Sequence, residues 1–261
     1  GDRETSSVSG GRMDRLVGRR TAWVARKTWL RARRAPIKLV YVAYPAFLLI
    51  TPIQASVEAG RVTASLPPSI ALYGAWMTGA AFTLNPLGDE GVVLPVTVTT
   101  GVSGREFVRG LVTAGVAVGV PVTVAATAVL AVLSPMPPVA VASVVAGAAL
   151  LPILAAGVAV GVGTQFPKYD ATSVSRNREV VVPSMWAFAI YTLAFMLTGG
   201  IATGFQTPGI AEFVADAVGS SAVVVHVGSL VVGLLLTGAA AVLAVRVAVR
   251  EFDSYTTDGN I

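Results

Sequence analysis

The chain has 261 residues, of which 54% are hydrophobic and only 13% charged, a balance that excludes an ordinary water-soluble domain and makes the membrane its solvent. Its formal charge of +5 invites a nucleic-acid reading. The basic residues flank apolar stretches instead of covering a soluble face, so the positive-inside bias of membrane proteins explains them better, and no nucleic-acid partner is expected. Cysteine is absent, which excludes disulfides, thiolate nucleophiles and cysteine-ligated metal.

In chain order, residues 1–11 are polar and rich in glycine and serine, and read as a disordered leader. Either Met13 is a true start or the chain is a piece of something longer. Residues 12–34 are strongly basic, and Leu16, Trp23 and Leu30 recur every seven positions, on one helical stripe. This predicts an interfacial helix whose Arg and Lys face lipid headgroups, with Trp23 and Trp29 at the boundary. The alternative is a solvated basic tail. Arg20, Lys27 and Arg34 intrude near the stripe and must snorkel.

Charge-free intervals then run over 39–57, 62–88, 110–167, 180–211 and 217–245. A hydrocarbon core of about 30 Å needs roughly 20 apolar residues per helix. Four intervals therefore hold one span each and the long one holds two, so residues 35–250 form a six-span transmembrane domain. The expected fold class is all-α: a polytopic membrane protein of six transmembrane helices with an N-terminal interfacial helix. Span one covers about Ile37–Ile53, where Pro45 and Pro52 kink it or end it early. Span two covers about Pro67–Leu84, after which Asn85–Gly110 is the largest polar break. Ser103 and Glu106 form a capping box there, flanked by Val102 and Phe107 as a hydrophobic staple, so a helix starts near Gly104.

Span three runs to about Leu133 with Pro121 inside, span four to about Gly163, span five over about Ser184–Phe205 and span six over about Ser220–Val245. Residues 206–219 form a short outer segment with an apolar face of Ile210, Phe213 and Val214. Residues 251–261 are a cytoplasmic tail. With the N-terminus inside, eighteen of the nineteen Lys and Arg residues lie in inner segments, leaving only Arg61 outside. Both termini are therefore placed in the cytoplasm of a cell membrane. Pairs of glycines four apart, Gly115 and Gly119, Gly157 and Gly161, and Gly200 and Gly204, are hints of close helix packing. Arginine outnumbers lysine sixteen to three, which suggests a GC-rich, prokaryotic genome.

Chemistry is sparse. Apart from Lys38 and Arg109 near their starts, the predicted spans hold no Asp, Glu, Lys or Arg, which removes the usual marks of proton-coupled antiport or aspartyl intramembrane proteolysis. His226 is the single histidine. It reads as a hydrogen-bonded side chain in the bundle, against a proton or metal role that would need further ligands. No phosphate loop or dinucleotide fingerprint is present, so no cofactor is expected and the chain is not expected to be an enzyme. What remains are two mixed-charge loops, with Asp89, Glu90, Arg105, Glu106 and Arg109 in one and Lys168, Tyr169, Asp170, Arg176, Arg178 and Glu179 in the other. Each is either a solvated connector or a docking surface. The apolar run Val92–Val98 argues for contact with lipid or a partner, and its β-branched residues and Pro95 disfavour a regular helix.

Leu87-Gly88-Asp89-Glu90-Gly91 followed by Val102-Ser103-Gly104-Arg105-Glu106-Phe107-Val108-Arg109-Gly110, between two and four spans and behind an arginine-rich helix, resembles the membrane subunits of type-2 ABC exporters. Gly163-Thr164-Gln165-Phe166-Pro167-Lys168-Tyr169 is similar to the end of span four in some members. Leu111 departs from the lysine frequent at that position. The resemblance implies a permease that forms the transport pathway, with a separate ABC ATP-binding subunit docking on loops 85–110 and 164–183. The implied contacts are Asp89, Glu90, Ser103, Arg105, Glu106, Arg109, Lys168, Tyr169 and Asp170. It also implies a second six-span half: the chain itself, a sister permease or upstream spans. The competing expectation is a structural or regulatory multi-pass protein that binds anionic lipid. Substrate is not legible.

Overall fold

A computed structural model describes residues 12–34, 44–175, 178–181 and 183–257. The leader, residues 35–43 with the start of the expected first span, and the last four residues lie outside the described residues. The fold is helical. Four helices among the described residues are each long and apolar enough to cross a bilayer, the mark of a membrane protein.

The chain opens with α1 (Arg12–Val17) and α2 (Arg19–Arg34), broken at Gly18, whose φ of 86° is open to glycine at little cost. A 3₁₀ segment over Tyr44–Leu49 leads into α3 (Ile50–Glu58), which accommodates Pro52 and extends past the expected limit at Ile53. Next comes α4 (Leu66–Thr83), with prolines in its first turn where their missing N–H costs nothing. The polar break folds into two short helices, α5 (Pro86–Glu90) and α6 (Leu94–Thr99), joined by a 3₁₀ turn. Helical conformation thus prevails through Leu94–Thr99 despite its β-branched residues, and Pro95 is tolerated because it falls in the first turn.

The capping box starts α7 (Gly104–Leu133) as the sequence predicts: Ser103 Oγ accepts from the Glu106 N–H at 3.3 Å, and the Glu106 carboxylate accepts from the Ser103 N–H at 3.0 Å. Pro138 starts α8 (Pro138–Gln165). The polar loop after it contains an antiparallel pair, β1 (Ala171–Ser175) and β2 (Arg178–Val181), with Thr172 opposite Val180. Threonine and valine favour extended backbone, a signal outweighed in the sequence by the surrounding charge. Ser184 caps α9 (Met185–Gly204), accepting from the Ala187 N–H at 3.0 Å. Then follow α10 (Pro208–Val218) in the expected outer segment and α11 (Ala222–Thr257). At 36 residues α11 is about 54 Å long, enough to cross a bilayer with its charged end to spare.

The core lies where α4 meets α8 and α9. Trp76, Tyr191 and Phe195 are fully buried, with ring centroids 6.2 Å and 6.0 Å apart along the series, and the Tyr191 hydroxyl donates to the Trp76 carbonyl at 2.7 Å. Two of the three glycine pairs are contacts. Gly115 and Gly119 face Phe82 and Thr78 of α4, while Gly157 and Gly161 face Ala241 and Ala244 of α11; a Cβ on Gly161 would lie 2.4 Å from the Ala244 carbonyl oxygen. Gly200 and Gly204 meet nothing within 4 Å among the described residues.

Candidate functional site

The charged end of the bundle gathers α2, α5, α6 and the first turns of α7, together with the last turns of α8 and α11. Its centre is Glu90, whose side chain is only 2% exposed. Burying a carboxylate is costly unless it is paired and hydrogen-bonded, and here both oxygens are. Arg31 donates to Oε1 at 3.1 Å, Thr97 donates to Oε2 at 2.7 Å, and the Lys27 ammonium also binds Oε2. Lys27 further donates to the Thr97 hydroxyl at 3.0 Å. Burial pushes the Glu90 carboxyl up, but Arg31, Lys27 and Thr97 outweigh it and hold the group below the ordinary carboxylate range. Glu90 is therefore a charged internal clasp.

Lys27 and Arg31 reach it because they sit one turn apart on α2, and α2 reaches it because small residues let it approach α7. Thr21, Ala22, Val24 and Ala25 are buried, and a Cβ on Gly110 would lie 2.5 Å from that of Val24. The Trp29 indole N–H donates to the Ala114 carbonyl at 2.8 Å, and Arg20 donates to the Gly101 carbonyl at 2.8 Å. This revises the expectation that the basic residues of residues 12–34 all face headgroups: Lys27 and Arg31 turn inward to Glu90, and Arg26 pairs with Asp14 at 2.7 Å. The stripe of Leu16, Trp23 and Leu30 instead lies on the outer side, 83%, 44% and 53% exposed.

Two further clasps close this end. Asn85 donates to the Lys168 carbonyl at 3.0 Å and accepts from the Lys168 N–H at 3.1 Å, which ties the start of the first loop to the end of α8. The Gly104 N–H donates to Asp253 at 2.7 Å, and Phe107 stacks on Phe252 with ring centroids 4.3 Å apart, which ties α7 to α11. Val102 and Phe107, the staple pair, are buried in the same apolar cluster as Phe252.

Of the residues singled out from sequence, Glu90 is internal and Ser103 and Glu106 form the cap. The Ser103 N–H holds the Glu106 carboxyl below its usual range, with a smaller contribution from Arg20 at 3.5 Å. Asp89 and Lys168 are half-buried, and Arg105, Arg109, Tyr169 and Asp170 are exposed. Tyr169 and Tyr255 approach oxygen to oxygen at 3.3 Å, and burial together with that contact pushes the Tyr169 phenol well above its usual range. Lys27, Arg31, Thr97, Asn85 and Asp253 were not foreseen as members. The legible signal was Lys27 beside the apolar stripe of α2, since a cation so placed requires a counter-charge.

At the other end His226 is buried, and its Nδ1 donates to the Phe205 carbonyl at 3.1 Å. Gln206 donates to the carbonyls of Ala202 and His226, each at 3.0 Å. No cluster of three metal-ligating side chains occurs among the described residues. No family model matches this sequence, no curated protein is significantly similar to it, and no solved structure matches its fold.

Proposed function

We propose that the chain is the membrane subunit, or one half, of an ATP-driven exporter of the type-2 ABC class. In this reading it forms part of the transport pathway in the cell membrane, with both termini cytoplasmic, and couples to a separate ATP-binding subunit through loops 85–110 and 164–183. The observation that carries the reading is the clasped state of residues 85–103. From Asp89 onward this segment lies outside the charge-free intervals; it is fixed internally by Glu90 and leaves Val93 and Val96 40% and 63% exposed. A rigid knuckle with an apolar outer face beside mixed charge suits a docking element. Glu90 then positions that knuckle, while Asp89, Arg105, Arg109, Tyr169 and Asp170 rim the contact.

In the same reading α4 is a further span. Its 18 residues give about 27 Å, close to the hydrocarbon thickness, and it packs among α7, α8 and α9. The segment before it supplies the sixth, and α1–α2 is the interfacial helix. Nucleotide-driven closure of the ATPase would act by favouring one arrangement of the spans through contacts to this knuckle.

The test is co-purification of tagged protein from its native membranes, comparing wild type with Val96→Asp. Capture of an ATP-binding subunit by wild type and its loss from an equally stable Val96→Asp variant is the expected result. Absence of any ATPase from wild-type complexes overturns the proposal. A second reading, a non-transporting membrane protein that seats on anionic lipid, is favoured by the outward Leu16, Trp23 and Leu30, and it would then stand alone.

A further inference from the structure

Four arginines line one groove between α7 and α11: Arg105 and Arg109 on the first, Arg246 and Arg250 on the second, with a volume of about 540 Å³. In each helix the pair is one turn apart, so both members lie on the same face. The ion pairs found among the described residues involve Arg20, Arg26, Lys27 and Arg31, and none of these four. One carboxylate, Asp253, also lines the groove, and its Oδ1 accepts from the Gly104 N–H at 2.7 Å. The groove therefore presents an excess of guanidinium groups, whose planar donor forks suit phosphate oxygens.

Its position selects the kind of phosphate. Arg109 ends the charge-free interval 110–167 and Arg246 ends the interval 217–245, and the stacked Phe107 and Phe252 hold the two helix ends level. The groove thus lies at the boundary where hydrocarbon gives way to headgroups. It adjoins a second groove, with Val245 and Arg246 lining both. That second groove, about 890 Å³, runs between α8 and α11 beside α7 and is walled by Val112, Ile153, Leu235 and Val242, with Gly238 keeping it open. From Arg246 to Leu234 it extends about 18 Å along α11, comparable to the roughly 15 Å hydrocarbon half of a bilayer.

We infer that this two-part groove is a binding site for one anionic phospholipid, its phosphate on Arg105, Arg109, Arg246 and Arg250 and one acyl chain in the apolar channel above them. A free phosphate would use only the arginines. An acidic protein segment would likewise leave the apolar channel unfilled. The site shares Arg105 and Arg109 with the rim of the proposed docking contact, but Arg246, Arg250 and the apolar channel lie apart from Val93 and Val96, and the site does not depend on whether the chain transports anything.

The experiment is native mass spectrometry of the delipidated full chain, titrated separately with dioleoylphosphatidylglycerol, dioleoylphosphatidylcholine and inorganic phosphate. Wild type is expected to bind the first at least about tenfold more tightly than the second. Arg246→Gln with Arg250→Gln should abolish that preference, whereas Arg33→Gln on the outer side of α2 should keep it. Gly238→Leu, which fills the channel without touching a charge, should weaken the lipid but leave phosphate binding unchanged. The inference is overturned if the two lipids bind equally, or if the arginine pair variant keeps the preference. Phosphate competing away the lipid in full with no effect of Gly238→Leu overturns it in favour of a simple anion site. Loss of a captured protein partner from the arginine variant, with lipid preference unchanged, overturns it in favour of a protein interface.

Discussion

Arg31 and Glu90 lie 59 positions apart in sequence and meet at 3.1 Å. This contact fixes α2 to the knuckle formed by α5 and α6, so the basic N-terminal helix is part of the bundle's charged end. Glu90→Ala removes the shared anion and leaves Lys27 and Arg31 facing each other without a counter-charge. Breaking a buried pair typically costs about 3–5 kcal/mol, and here the lower end applies because the two cations are 24% and 25% exposed. Thermal unfolding in detergent should show a large fall for Glu90→Ala. A variant with Glu90→Leu, Lys27→Met and Arg31→Met should recover most of it, since apolar replacement of a whole buried ionic cluster is often neutral.

The same clasp makes the charged end acid-sensitive. Glu90 has a lowered folded pKa, so its stabilising contribution is fully present above its unfolded value, near 4.5, and is lost as pH falls through the lower folded value. Limited proteolysis between pH 7 and pH 3 should show α2 released only in the acidic range, with Glu90→Gln already released at pH 7. Equal release of both proteins at every pH would refute the assignment.

Much of this architecture was written in plain chemistry. Ser103 and Glu106 started a helix where they predicted one, and the charge-free intervals over 110–167, 180–211 and 217–245 contain the apolar cores of α7, α8, α9 and α11. What stayed hidden is long-range. A heptad of Leu16, Trp23 and Leu30 gives α2 an apolar stripe but not its orientation, which is set by Val24 fitting against Gly110. Glu90 reads as a surface loop carboxylate because nothing local reveals cations 59 and 63 residues away. Likewise the four arginines look like two pairs of boundary markers until α7 and α11 are placed side by side.

The glycine pairs offer a matched comparison. Gly161→Ala drives a methyl group into the Ala244 backbone, where nothing flexible can yield, and overpacking of this kind costs about 1–3 kcal/mol. Gly200→Ala enters open space and should be neutral or stabilising by up to about 1 kcal/mol through helix propensity. Melting temperatures of the two variants should therefore move in opposite directions, or only the first should move. A large loss at Gly200→Ala would point to a helix neighbour beyond this chain.

His226 should prove structural. Its Nδ1 donor serves the Phe205 carbonyl at the end of α9. Asparagine can supply a donor at nearly the same place, so His226→Asn should retain stability to within about 1 kcal/mol, while His226→Leu should lose about 1–2 kcal/mol by removing the donor to a part-buried carbonyl. Under the exporter proposal, neither should alter capture of an ATP-binding subunit. Loss of a transported or captured partner from His226→Asn, with stability intact, would instead give the imidazole a functional role.

The link between the two loops of the charged end rests on one amide. Asn85 both donates to and accepts from the Lys168 backbone, in the manner of a strand partner, and is itself only 3% exposed. Asn85→Ala leaves a backbone N–H and carbonyl without that partner, at a cost of about 1–3 kcal/mol. Asn85→Asp keeps the acceptor but sets a carboxylate against the Lys168 carbonyl, so it should be no better. Because the effect is local, hydrogen exchange is the sharper measurement: the Lys168 amide should exchange about tenfold faster for each 1.4 kcal/mol lost, while amides inside α8 keep their protection. If the two loops act as one docking surface, both variants should also weaken capture of the ATP-binding subunit, although neither removes a residue from its exposed face. Faster exchange with undiminished capture would show that the loop after α8 is held here for stability and takes no part in docking.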